Sequence, residues 1–151
     1  MRKKPPVIDG KIPDERYDLD DVSKVRLLGL NPDSLLKIAD QYDHYPGCKW
    51  AIIEFKSRSL RNSVDQLEET AENLLNVQKQ AHLAIIVAIK INRAERRIFS
   101  KRGNMLYSKI SNAPVQIRAG NNRIEVRIYY VHEVDRQYEE YNRSLMQWVS
   151  K

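Results

Sequence analysis

Glu54 and Lys56 stand one residue apart at the end of an apolar run, Trp50, Ala51, Ile52 and Ile53, and the polar turn Ser57-Arg58-Ser59 follows them. Side chains alternate along a strand, so Glu54 and Lys56 are expected on one side and Phe55 on the other. A carboxylate beside an ammonium at a strand end has the chemistry to bind a divalent cation and position a water. The spacing alone says nothing: ten Glu and 12 Lys in 151 residues make about 0.8 such triplets expected by chance. Its surroundings must raise it. A second acid would have to share the cation, and "NPDS" and "ADQYDHYPG" supply Asp33, Asp40 and Asp43, which lie 21, 14 and 11 residues before Glu54. A hairpin centred near Gly47 would set Asp40 opposite Glu54, which favours Asp40, then Asp43. If that segment is helical instead, Asp43 at its end is better placed. Asp20 and Asp21 are weaker upstream candidates.

Charge supplies a second feature. Residues 90–118 carry eight basic side chains against Glu95 alone, a local +7 in a chain whose net charge is +6. A localised excess of this kind is the footprint of a polyanion binder. Arg93, Arg96, Arg97, Lys101 and Arg102 are the residues expected to grip a phosphate backbone, with Arg58 beside the Glu54–Lys56 pair. Five phosphate contacts predict a log–log salt slope near −4 to −5. The single cysteine, Cys48, excludes an internal disulfide and suggests a reducing, cytoplasmic setting. No run approaches the roughly 20 apolar residues of a membrane helix, and the basic start has no apolar segment behind it to serve as a secretory signal. No Gly-rich phosphate loop or nucleophile elbow is present.

The elements that must position these residues are legible in part. Residues 1–17 read as a flexible arm and residues 18–151 as a single domain. "DLDDVSKVRLLGL" fits a short helix. "NPDSLLKIADQYD" opens like another, with Asn31 as cap, Pro32 at its first position and Leu35, Ala39 and Tyr42 on its buried face; a strand beginning near Leu35 is the competing reading. Residues 49–56 read as a strand. Leu60, Val64, Leu67, Ala71 and Leu74 then recur at helical spacing. "HLAIIVAIKI" is a strand covered on both faces, so strand, helix and strand make a βαβ unit with parallel strands. A turn at Gly103-Asn104, a hairpin about Gly120-Asn121 and a C-terminal helix complete an α/β fold with a mixed sheet flanked by helices. The helix after Glu54 is lopsided: Ser63, Gln66, Thr70 and Asn73 form an uncharged polar flank, able to face phosphates without repelling them.

"IIEFKSRS" followed by "VDQLEE" resembles the core of the PD-(D/E)xK nuclease superfamily, in look nearest to the archaeal Holliday junction resolvases and related restriction-type members. The likeness spans residues 48–91. It implies a restriction-endonuclease-like fold, Glu54 as a metal ligand with the Phe55 carbonyl as another, Lys56 orienting the attacking water, and Gln66 as an accessory catalytic residue. It also implies an acid on a preceding strand, Asp40 or Asp43, to complete a site for Mg2+ or Mn2+. The expected activity is hydrolysis of phosphodiester bonds in DNA, directed by shape, because phosphate contacts carry no base information. Two rival expectations stand beside it. One is a nuclease-like domain that binds nucleic acid without cutting. The other is an interaction subunit that forms a homodimer through the helical stripe and the C-terminal "SLMQWV".

Overall fold

Two hydrophobic clusters, one on each face of a mixed β-sheet, organise the computed structural model, which describes residues 3–34 and 38–151. The strands of that sheet are β1 (Glu15–Asp18), β2 (Gln41–Tyr45), β3 (Lys49–Phe55), β4 (Leu83–Ala88), β5 (Phe99–Arg102), β6 (Met105–Ser108), β7 (Ala113–Pro114), β8 (Gln116–Ala119) and β9 (Asn122–Tyr130). Their order is β1-β2-β3-β4-β9-β6-β5, with β7 on β6 and β8 on β9. Among the described residues there are three α-helices, α1 (Val22–Leu27), α2 (Leu60–Asn76) and α3 (Val131–Val149).

The centre follows the sequence pattern. β3 and β4 pair in parallel, Glu54 opposite Ile86, as the right-handed βαβ argument requires. Every residue of β4 is buried, which explains why it is apolar without alternation. Ser59 caps α2 by accepting from the Asn62 amide at 3.1 Å, and the helix lays Leu60, Leu67, Ala71 and Leu74 against Tyr42, Ile52 and Ile86. The opposite face of β3 and β4 carries Ala51, Ile53, Ile85 and Val87, covered by Ile8 and by Val134 of α3. Both expected turns form: Arg102 pairs with Met105 around Gly103-Asn104, and Ala119 with Asn122 around Gly120-Asn121.

Two expectations are corrected. Pro32–Ser34 is only a 3₁₀ turn, opened by the Asn31 side chain accepting from the Asp33 amide at 3.0 Å. The chain is then a strand from Gln41, not a helix through Tyr42, and Leu35 lies outside the described residues. Pro46 biases Tyr45 toward extended backbone, and Gly47 at φ 100° turns the chain back on itself, so β2 finds the long β3 ladder beside it. The second correction concerns the arm. Residues 15–18 form edge strand β1, Ile8 is 2% exposed, and the Tyr45 hydroxyl donates to the Pro6 carbonyl at 2.7 Å. Apolar Pro5, Pro6 and Ile8 gain more from covering the sheet than a solvated arm would retain.

Candidate metal and nucleic-acid site

Pairing in the β2–β3 hairpin joins Gln41 to Ile53, and Asp40 donates its amide to the Ile53 carbonyl at 3.0 Å. Continued by one residue, that register sets Asp40 across from Glu54. The two carboxylates share a hydrogen bond. Asp40 Oδ2 accepts from the Phe55 amide at 2.7 Å, while Oδ1 faces the Lys3 ammonium at 2.9 Å. Helix α2 adds the third member. Gln66, its amide nitrogen turned to the strand, donates to Glu54 Oε1 at 3.2 Å and to Oε2. The helix is tied to the same place by Thr70, which is fully buried; its hydroxyl accepts from the Ala39 amide and donates to the Gln66 carbonyl, both at 2.7 Å. Asp40, Glu54 and Gln66 therefore meet at one strand end, each brought by a different element.

Electrostatics at the pair are lopsided. Glu54 is 4% exposed, and burial first, then the hydrogen bond and charge of Asp40, push its carboxyl up to about 9. Burial also acts on Asp40, but hydrogen bonds from Glu54, Lys3 and the Phe55 amide outweigh it and hold this carboxyl below the usual range. Asp20 adds negative field at Glu54 from its exposed position on the loop before α1, whereas Asp21 is spent capping that helix through Ser23.

Lys56 lies just past the strand and turns to another acid. Its Nζ is 2.6 Å from Glu95 Oε1, with both side chains about nine-tenths buried. Glu95 Oε2 accepts from the Leu60 amide at 2.6 Å, and Oε1 from the Asn92 amide at 3.2 Å. Burial would raise the Glu95 carboxyl, but Lys56 and these amides hold it low. The lone acid of the basic segment thus staples that segment to β3 and to the first turn of α2. Asp43 belongs elsewhere. It is fully buried on the opposite sheet face, its nearest cation is Arg16 Nε at 3.6 Å, and neither oxygen accepts a hydrogen bond. Burial pushes it up to about 7. Asp33 sits in the 3₁₀ turn and is exposed.

The basic residues divide into two groups. Arg58, Arg93, Arg96 and Arg97 are exposed and, among the described residues, carry no ion pair. They flank the Lys56–Glu95 staple at the carboxyl ends of β3 and β4. Lys101 is committed instead to Glu133 at 3.2 Å and to the Tyr130 ring, and Arg102 to Asn112 at 3.0 Å and the Tyr107 ring. Sequence reasoning missed Lys3, which has no local signature and is placed only by the packing of Pro5 and Pro6. It also missed Glu95 as a partner, although a lone acid in a +7 segment was a visible signal.

Among the described residues, no three His, Cys, Asp or Glu side chains converge as a ready-made metal site, and no helix is long and apolar enough to cross a membrane. Comparison with protein-family models, with curated proteins and with solved structures finds no match in any of the three.

Proposed function

We propose that this chain is a metal-dependent deoxyribonuclease of the PD-(D/E)xK type, with a restriction-endonuclease-like sheet, that hydrolyses phosphodiester bonds by recognising DNA shape. The observation that carries the reading is the Asp40–Glu54 pair with Gln66 upon it. These three residues are delivered to one point by the entry to β2, by β3 and by α2. The point lies at the carboxyl ends of parallel strands, where open α/β sheets bind their ligands.

The donor set fits a hard divalent cation. Burial first, and then the adjoining Asp40, raise the Glu54 carboxyl to about 9, and a dication relieves the cost of holding the two carboxylates ionised together. Asp40 and Glu54 would hold Mg2+ or Mn2+, with the Phe55 carbonyl as a further oxygen. When bound, such an ion supplies an acidified water and positive charge for the developing phosphorane. The chain's own residues do the rest. Gln66 fixes the Glu54 carboxylate by donating to it, so that its remaining lone pairs face outward. Lys56 offsets charge on the phosphoryl oxygens and orients the attacking water, its rotamer set by Glu95. Arg58, Arg93, Arg96 and Arg97 hold the backbone on either side without reading bases.

A second reading, a nuclease-like domain that binds DNA without cutting it, is favoured by one observation: the Lys56 ammonium is already paired with Glu95 at 2.6 Å. Incubation with supercoiled and branched DNA, in Mg2+ or in EDTA, separates the two. Cleavage that EDTA and Glu54→Ala both abolish supports the enzyme. Binding without cleavage leaves the second reading. Absence of both leaves an interaction subunit, for which light scattering would report a homodimer built on the exposed Leu145, Met146, Trp148 and Val149.

A further inference from the structure

We propose that the Lys3 ammonium is the resident counter-ion of the Asp40–Glu54 pair, and that a divalent cation loads by displacing it. This rests on the metal-site reading above. Asp40 Oδ2 is committed to the Phe55 amide at 2.7 Å, so Oδ1 is the oxygen left for a cation, and Lys3 Nζ stands 2.9 Å from it. Nζ also lies 5.2 Å over the Phe55 ring, on the residue whose amide holds Asp40 Oδ2. One ammonium therefore occupies the free oxygen of Asp40 and adds positive field at Glu54.

The fold builds this contact. Pro5 and Pro6 are buried, the Pro6 carbonyl accepts from Tyr45, and the Val7 amide donates to Gln137 Oε1 at 3.2 Å. The Lys3 carbonyl accepts from Arg16 at 3.5 Å. The backbone is thus held from the strand edge to α3, and Lys3 is delivered to the acid pair while Lys4 turns away to Asp135. The side chain of Lys3 is nevertheless 46% exposed, against 16% for Asp40. Its ammonium can swing into water by giving up only the Asp40 pair and the contact over the Phe55 ring, whereas the carboxylate it leaves stays in place. A univalent and a divalent cation cannot share one oxygen without repulsion, so the two states exclude each other.

Calorimetric titration of the full chain with Mn2+ tests this, using wild type, Lys3→Gln, Lys3→Ala, Lys3→Arg and Asp40→Asn. The expected result is Mn2+ binding about three- to tenfold tighter in the Gln and Ala variants, the size of a lost, partly exposed ion pair. Lys3→Arg should bind like wild type and Asp40→Asn should lose binding. Acylation of Lys3, followed by peptide mass mapping, should speed up when Mn2+ is added. Equal or weaker binding in Lys3→Gln and Lys3→Ala, with Asp40→Asn still deficient, overturns the displacement and leaves the metal site standing. Mn2+ binding that survives Asp40→Asn, or no binding in any form, overturns both.

Discussion

At the scale of single residues, the carboxylates differ in what surrounds them rather than in type. Asp40 is held ionised by donors, Glu54 is driven toward its neutral form by burial and by Asp40, and Asp43 is driven the same way by burial first and by Asp18, against the pull of Arg16. Asp43 has a stability consequence. Its folded value, about 7, lies above the ordinary aspartate value of 3.8, so between those limits the folded chain binds more protons than the unfolded one. Stability contributed by this group is therefore lost as pH rises from about 4 to 7. Asp43→Asn carries no proton to lose and should gain on wild type across that window, by about 1–3 kcal/mol at pH 8. Thermal unfolding of both forms at pH 4 and pH 8 measures it; a wild-type advantage that grows with pH would show an ionised Asp43 paired to Arg16. Lys56 makes a different prediction. Lys56→Ala leaves Glu95 buried without its cation, so it should cost about 3 kcal/mol besides any effect on chemistry. Denaturant unfolding will show whether the loss is that large.

Elements explain which parts of this could be read in advance. β3, α2 and β4 were legible because the apolar residues keep one period over enough length to exclude rivals, and the hairpin register then brought Asp40 to Glu54. β2 is ambiguous in the sequence because Asn31-Pro32 is a genuine helix start, yet Pro32–Ser34 is a 3₁₀ turn and the β3 ladder holds the chain from Gln41. The N-terminal segment reads as free because two prolines and an isolated Ile8 have no period; their burial is a tertiary fact. The partners of Lys3 and Glu95 are tertiary facts too, since both act across more than 30 residues, although Glu95 stands out as the lone acid of its segment. The element that locks the site is α2, through Thr70. Thr70→Val should strand the Ala39 amide beside Asp40 and cost about 1–3 kcal/mol, seen as a drop in unfolding temperature. An unchanged temperature would mean that α2 does not anchor that strand.

For the whole molecule, the folded distribution of charge sharpens what composition could say. The +7 segment is not uniformly available: its one acid is turned inward to staple Lys56, and Lys101 and Arg102 are taken up by Glu133 and Asn112. Arg93, Arg96 and Arg97 of the segment remain exposed, with Arg58 from outside it, near the strand ends, so the expected salt slope for DNA binding is about −3 to −4 rather than the −4 to −5 of five free contacts. Anisotropy titrations between roughly 50 and 200 mM salt give the slope, and a value near zero would remove this face as a DNA surface. The same geometry makes the central claim directly measurable. Single-turnover cleavage of supercoiled and branched DNA should be compared for wild type and Glu54→Gln, which keeps the side chain's size. Wild type is expected to cleave in Mg2+ and not in EDTA, with Glu54→Gln slower by about 1,000-fold or more while folded and binding DNA equally well. Cutting by Glu54→Gln at the wild-type rate, or no metal-dependent cutting by wild type, would contradict it.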